Sequence, residues 1–252
     1  MNPAPLYVVG LGPGDAALLT PQAAAMLDAA QTIVGYRLYV DLISPERLRG
    51  KNVVTTGMRR EADRCNAAID AALAGSPTAV VCSGDAGIYG MSGLIFELLE
   101  ARDLADAVPV TIAPGVPAVC AAAALLGAPL MHDFACVSLS DLLTPWERIE
   151  QRLEAALAAD FVLALSNPRS KGRDWQLDRA LELARRHRTP ETPVGLVHKA
   201  YRPDQQTLIR PLRDFCGTDA DMLSLLIIGN TTTRVTAERM VTPRGYAVTS
   251  GA

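Results

Sequence analysis

The chain opens on a short, β-branched apolar run, Leu6 to Val9, that breaks at Gly10-Leu-Gly-Pro-Gly-Asp15. Such a run predicts a buried strand feeding a turn, because β-branched side chains suit a pleated surface and glycine and proline interrupt it. Thr20-Pro21 then sets a capping hydroxyl before a proline at the first helical position, and Met26, Leu27 and Ala30 share one face of the alanine-rich helix that follows. The pattern recurs. Thr32 to Val34 predicts a strand, Glu61 to Ala74 a helix with Cys65, Ala68, Ile69, Ala72 and Leu73 at helical spacing, and Thr78 to Cys82 another strand. A second glycine loop, Ser83-Gly-Asp-Ala-Gly-Ile88, leads into a helix marked by Met91, Leu94, Ile95, Leu98 and Leu99, and Val108 to Ile112 predicts a strand ending at Pro114-Gly115.

Strands alternating with helices imply an α/β chain whose sheet is mostly parallel and covered on both faces. Pro114-Gly-Val-Pro117 interrupts the chain near its middle, giving two α/β domains, 1–114 and 115–243. In the second, strands are expected at Ala135 to Leu139, Phe161 to Leu165, Val194 to His198, Gln206 to Ile209 and Leu223 to Ile228, with helices at Trp146 to Ala158 and Trp175 to His187. From Thr242 onward the tail is expected to be loose.

Composition narrows the functional classes. With 252 residues, 49% hydrophobic and 20% charged, the chain is not disordered, and a net charge of -3 argues against broad electrostatic binding of nucleic acid. Any anionic ligand must be met by local cations. Five cysteines stand far apart with no C-x-x-C pair, and the N-terminal segment lacks the basic and apolar regions of a signal peptide. No apolar run reaches the ~18 residues of a membrane span. These features predict a cytoplasmic protein with no membrane or nucleic-acid partner.

Gly10-x-Gly12-x-Gly14 suggests a dinucleotide loop, but Asp15 stands where the third glycine of G-x-G-x-x-G belongs, and Val34-Gly35-Tyr36 lacks the acid that would bind a ribose. No phosphate-binding G-x-x-x-x-G-K-[ST] exists. One glycine loop alone is most simply a tight turn. Two at the carboxyl ends of successive strands point to a small ligand held by main chain. Asp85 is either an acceptor for a ribose or ammonium group or a helix cap. None of His132, His187 and His198 pairs with a second ligand at metal-binding spacing, so no metal site is expected. Asn167-Pro-Arg-Ser-Lys-Gly-Arg173 gathers three cations in one turn, either a solvated loop or a grip for carboxylates.

These segments, taken in order, carry a resemblance. Gly10 to Asp15, Ser83 to Ile88, Pro114-Gly-Val-Pro-Ala118 and Ile227-Ile-Gly-Asn230 resemble the motifs of the tetrapyrrole methylases, which are class III S-adenosylmethionine-dependent methyltransferases. Val34-Gly-Tyr-Arg37, Gly57-Met-Arg-Arg-Glu61, Ser138 to Trp146 and Asn167 to Arg173 look like the precorrin-3B C17-methyltransferase branch of cobalamin biosynthesis, Ser166 departing from the tyrosine often found there.

The resemblance implies two α/β domains with S-adenosylmethionine in the cleft between them, left as S-adenosylhomocysteine after transfer, and a homodimer. By motif, the cofactor would meet Pro13, Gly84, Asp85, Ile88, Pro117, Ala118, Leu165, Ala200 and Gly229. The tetrapyrrole, precorrin-3B, would face Arg37, Arg59, Arg169, Lys171 and Arg202 with its acetate and propionate groups. Methyl transfer to C17 is coupled to ring contraction giving precorrin-4, and His198 and Lys199 are the candidate acid or base for the protons that contraction moves. The same motifs fit a cobalt-factor III methylase, a methylase of another precorrin, or one acting on protein or RNA. A dinucleotide oxidoreductase and a non-catalytic binding module are the readings from other classes.

Overall fold

The computed structural model describes residues 2–247 and divides the chain into two compact units, one ending at Ala118 and the next beginning at Val119. The first unit runs β1 (Leu6–Gly10), α1 (Pro21–Ala29), β2 (Thr32–Tyr36), α2 (Arg37–Val40), α3 (Pro45–Leu48), β3 (Asn52–Thr56), α4 (Glu61–Leu73), β4 (Thr78–Cys82), α5 (Ser92–Ala101) and β5 (Val110–Ala113). Its five strands lie in the order β3-β2-β4-β1-β5, every pair parallel. Every loop that follows a strand therefore lies at one end of the sheet. Alternate residues divide between two cores: Val8, Val34 and Val80 pack with Cys65, Ile69, Ile95 and Leu99 of α4 and α5. On the other face Val9, Ile33 and Val81 pack with Ala23 and Leu27 of α1 and with Val40.

Three elements of this unit, β3, α2 and the four-residue α3, escaped the pattern. β3 is an edge strand with Asn52, Val53 and Thr55 exposed, so it has no apolar face to read. The four-residue α2 packs where Gly35 makes room: a Cβ there would stand 2.6 Å from Val81 and 2.8 Å from Val40.

The second unit contains α6 (Ala118–Leu126), β6 (Gly127–Ala128), β7 (Phe134–Ser138), α7 (Trp146–Ala158), β8 (Val162–Ser166), α8 (Gln176–His187), β9 (Pro193–His198), β10 (Gln206–Pro211), β11 (Ser224–Ile228), β12 (Arg234–Thr236) and β13 (Arg239–Val241). Its main sheet has the order β10-β9-β11-β8-β7. This sheet departs from the parallel pattern of the first unit. Only β7 and β8 pair parallel, while β8–β11, β11–β9 and β9–β10 are antiparallel. The reason lies in the connections: α7 provides a crossover between β7 and β8, whereas the loop 199–205 turns β9 straight back into β10. β7, β8 and β9 still run in one direction, so the loops after them share one end of the sheet.

α7 and α8 cover one face with Leu153, Leu157, Leu177 and Leu181. On the other, α6 and Met240 of β13 pack against Val162, Ala164, Val197 and Ile227. Gly195 permits that approach, since a Cβ would stand 2.5 Å from Leu126 and 2.7 Å from the Met240 sulfur. The tail is not loose at Thr242, which is wholly buried: its N–H donates to Ala128 O at 3.1 Å and its hydroxyl bonds that of Thr233 at 2.8 Å. β13 docking beside β6 draws it in; residues 248–252 of the tail lie outside the described ones. No helix among the described residues is long and apolar enough to cross a membrane.

Arg188 closes the end of the second sheet where β8 and β9 begin. Its guanidinium donates to the carbonyls of Gly229 (3.2 Å), Leu157 (3.0 Å), His187 (3.1 Å) and Phe161 (3.0 Å) and meets Asp160 at 3.2 Å. Arg188→Met is expected to lower unfolding free energy by about 3 kcal/mol, because several part-buried carbonyls lose their donor together, and urea unfolding measures it.

Candidate functional site

At the carboxyl end of the first sheet three loops are stitched by backbone. The Gly12 and Gly84 main chains exchange hydrogen bonds at 3.0 and 2.7 Å, and Leu11 N–H donates to Cys82 O at 2.9 Å. The loop after β5 is held closer still: a Cβ on Gly115 would stand 2.2 Å from Gly84 O, and one on Gly10 would stand 2.6 Å from Gly115 N. Only glycine fits either place. Asp85 completes the seam, accepting from Gly87 N–H at 2.8 Å and Gly115 N–H at 3.0 Å. It caps main chain in two loops, which favours the structural reading of this acid and leaves further lone pairs free.

This brings Gly84 and Asp85 together with Pro117 and Ala118, a Cβ on Gly84 lying 3.5 Å from Ala118 N and 3.9 Å from Pro117 Cα. Gly84 has φ +70, a left-handed conformation. Pro13 follows the Gly12 bridge and is buried, while Gly87 and Ile88 are exposed on the second loop. The rim is main chain and apolar side chains with no acid after β2, which fits a cofactor held by backbone and not a dinucleotide ribose. Cys82, beneath it, accepts the Met91 N–H, and burial pushes its thiol up to about 11, so it is no nucleophile.

Arg37, the first residue of α2 directly after β2, and Arg59, on the loop after β3, are exposed at the same sheet end. Sequence reading missed Arg64, which reaches both from α4. It is 2% exposed, with Nε donating to Thr56 Oγ1 (2.8 Å), Nη2 to Gly57 O (2.9 Å), and the guanidinium 5.8 Å from the Tyr36 ring centre. Its helical spacing with buried Cys65 and Ala68 was the available signal, and it ties down the segments that carry Arg37 and Arg59.

In the second unit the loops after β7 and β8 are laced together. Asn167 Nδ2 donates to Ser138 Oγ (3.0 Å), Arg173 to Ser140 Oγ (3.4 Å), and Gln176 Nε2 to Asp141 Oδ2 (2.8 Å). Of the three cations in the turn, Arg173 is buried and bonded to Asn167 O at 2.8 Å, burial holding its pKa below the usual value against the pull of Asp141. It is the clasp of the turn. Arg169 is half-buried and Lys171 exposed, so these two are the ones able to meet a ligand.

His198 ends β9 with Nδ1 2.9 Å from Asp221 Oδ1 and 3.4 Å from Ser224 Oγ. For Asp221, burial opposes ionisation, but hydrogen bonds from Ser224 Oγ and the Leu223 N–H, with His198 beside it, outweigh that and hold its carboxyl below the usual range. Lys199 and Tyr201 have φ +49 and +55, and Lys199 Nζ pairs with Asp204 at 3.6 Å. Ala200 and the half-buried Arg202 follow in the same loop. Leu165, in register with Leu226 near the end of β8, belongs to this sheet end.

Gly229 does not join them. It follows β11 beyond the Ile228–Val194 pair, about 20 Å along the strands from Ala200. There it is buried, its N–H on Pro193 O and its carbonyl on Arg188. The antiparallel course of β11 puts this motif glycine at the sealed end of the sheet, which corrects its assignment to the cofactor.

Two α/β units, the first with a glycine-seamed sheet end, define a methyltransferase of the tetrapyrrole methylase type. The chain matches the family model of tetrapyrrole (corrin/porphyrin) methylases over residues 5–216 and belongs to that family. It is 49% identical to a probable cobalt-factor III C(17)-methyltransferase of Salmonella typhimurium, across 96% of this chain and 100% of that one. It is 41% identical to a precorrin-3B C(17)-methyltransferase of a Sinorhizobium species, across 96% and 97%. The crystal structure of the methyltransferase CobJ superposes with a TM-score of 0.91 at 40% identity, covering 95% of this chain and 100% of that one.

Gly84→Ala is expected to cost about 1–2 kcal/mol through its left-handed backbone and to weaken S-adenosylmethionine binding; calorimetry and thermal melting measure the two. Asp221 has a lowered folded pKa, so its stabilisation is complete above about pH 4, the unfolded value, and is lost as the pH falls through the folded one. Asp221→Asn should therefore destabilise at pH 6, and the difference from the unaltered protein should shrink in urea unfolding as the pH falls through the folded value.

Proposed function

We propose that this chain transfers a methyl group from S-adenosylmethionine to C17 of precorrin-3B with contraction of the macrocycle, in cobalamin biosynthesis. The observation that carries the reading is near-full-length similarity to two relatives whose names both specify C(17) methylation. A second reading, the same reaction on cobalt-factor III, is favoured by the higher identity, 49%, to the Salmonella relative.

The cofactor's sulfonium supplies an activated methyl group, so the protein has to bind and align more than to activate. The backbone of Gly84 to Ile88 and of Pro117 and Ala118, with Pro13, is the part of the first unit suited to the cofactor, and Leu165 and Ala200 are the residues of the second unit that the family resemblance adds. Arg37, Arg59, Arg169, Lys171 and Arg202 meet the acetate and propionate groups. Ring contraction moves protons between oxygens, and His198 suits that role, since Asp221 engages Nδ1 and leaves Nε2 as the exchanging atom. Lys199 stands next to it as the second candidate. The free cysteines agree with a cytoplasmic setting, and a homodimer is the assembly that the family resemblance supports.

Mass spectrometry after incubation with methyl-labelled S-adenosylmethionine and either precorrin-3B or cobalt-factor III tests the reading: one labelled methyl on a ring-contracted product is expected, and no transfer to either acceptor would overturn it. Arg169→Ala with Lys171→Ala is expected to weaken tetrapyrrole binding, more at 20 mM than at 500 mM salt because screening already removes part of the attraction. S-adenosylmethionine affinity should stay nearly constant.

A further inference from the structure

The loop between β7 and α7 carries an uncovered apolar tip: Leu142 is 61% and Leu143 99% exposed. Its bases are fastened. Ser138, Ser140 and Asp141 are bonded to Asn167, Arg173 and Gln176 on one side. On the other, Trp146 stacks edge-on against Trp175 with ring centres 4.8 Å apart and donates to Glu150 at 2.8 Å. A pair of leucines held in water at the tip of a pinned loop forgoes about 1.5–3 kcal/mol of burial each, which points to a ligand that covers them.

The bonds that pin this loop also hold the turn bearing Arg169 and Lys171, so apolar tip and cations belong to one laced pair of loops. That combination suits a broad apolar ring edged with carboxylates. A second copy of the chain would also cover leucines, but an interface centre is depleted in charge, and here the turn laced to the base of the loop carries Arg169 and Lys171. We propose that Leu142 and Leu143 form an apolar flap that packs on the face of the tetrapyrrole macrocycle while Arg169 and Lys171 hold its carboxylates. The inference rests on the C17-methyltransferase reading.

The test is Leu142→Ser with Leu143→Ser in the full chain, assayed with whichever of precorrin-3B or cobalt-factor III the unaltered protein methylates. The flap requires KM for the tetrapyrrole to rise about tenfold or more, with S-adenosylmethionine affinity, melting temperature and solution mass unchanged. Leu142→Met with Leu143→Met should restore KM. An unchanged KM beside normal turnover by the unaltered chain overturns the flap alone, and a fall in solution mass overturns it in favour of a contact between copies. If the serine pair lowers the melting temperature markedly, as does Leu143→Ser by itself, the leucines are packing elements and the flap is again overturned. Absence of turnover by the unaltered chain overturns the functional reading, and the flap with it.

Discussion

Everything at the carboxyl end of the first sheet depends on backbone approaching backbone more closely than any side chain allows. Gly12 pairs with Gly84, and Gly10 faces Gly115 with no room for a methyl group between them. These contacts convert three separate strand ends into one continuous rim of main chain. A rim so built presents amides and apolar edges, and little charge. Asp85 spends its carboxylate on keeping two of the loops in register. Recognition of a cofactor there is a matter of shape and main-chain polarity, with side-chain chemistry reserved for the loops around it.

The cations divide by the same logic. Arg64, Arg173 and Arg188 are buried and spread their donors over carbonyls and hydroxyls, an arrangement suited to the planar five-donor guanidinium and closed to lysine. Each fixes a chain segment. Arg37, Arg59, Arg169, Lys171 and Arg202 stand at the strand ends, where anions can reach them, although the chain as a whole carries a net charge of -3. Local placement supplies what overall composition lacks.

The three longer helices and most strands of the first unit were legible because parallel strands buried on both faces make short apolar runs, and amphipathic helices such as α4 repeat at their own period, whereas the four-residue α2 and α3 are too short to show one. β3 was not, because an edge strand with Asn52 and Thr55 outward carries no such run. The direction of β10 and β11 was illegible for a different reason: period and propensity reveal a strand but not the sense in which it runs, which the connection decides. Gly229 was read from its motif alone as a cofactor residue, and the reversed strand delivers it to the opposite end. The basic turn was legible as a cluster, but only side-chain geometry separates Arg173, its clasp, from Arg169 and Lys171. His198 was visible at a strand end, whereas its partner Asp221 is 23 residues away and nothing local announces it.

Ten described residues other than glycine adopt positive φ, and six of them, Arg59, Tyr89, Asn167, Lys199, Tyr201 and Asp204, fall in loops at strand ends that bear or adjoin the candidate site residues. Each such conformation is disfavoured for an L residue and persists only where its surroundings hold it. The site loops therefore face a narrow choice under mutation. At the five that are not already asparagine, glycine or asparagine relieves backbone strain, while valine, isoleucine or threonine is disfavoured at all six regardless of what the side chain might contact. Directed evolution of this chain toward other macrocycles would accordingly find its freedom in the side chains beside those six residues, and would find the loop paths themselves resistant to change.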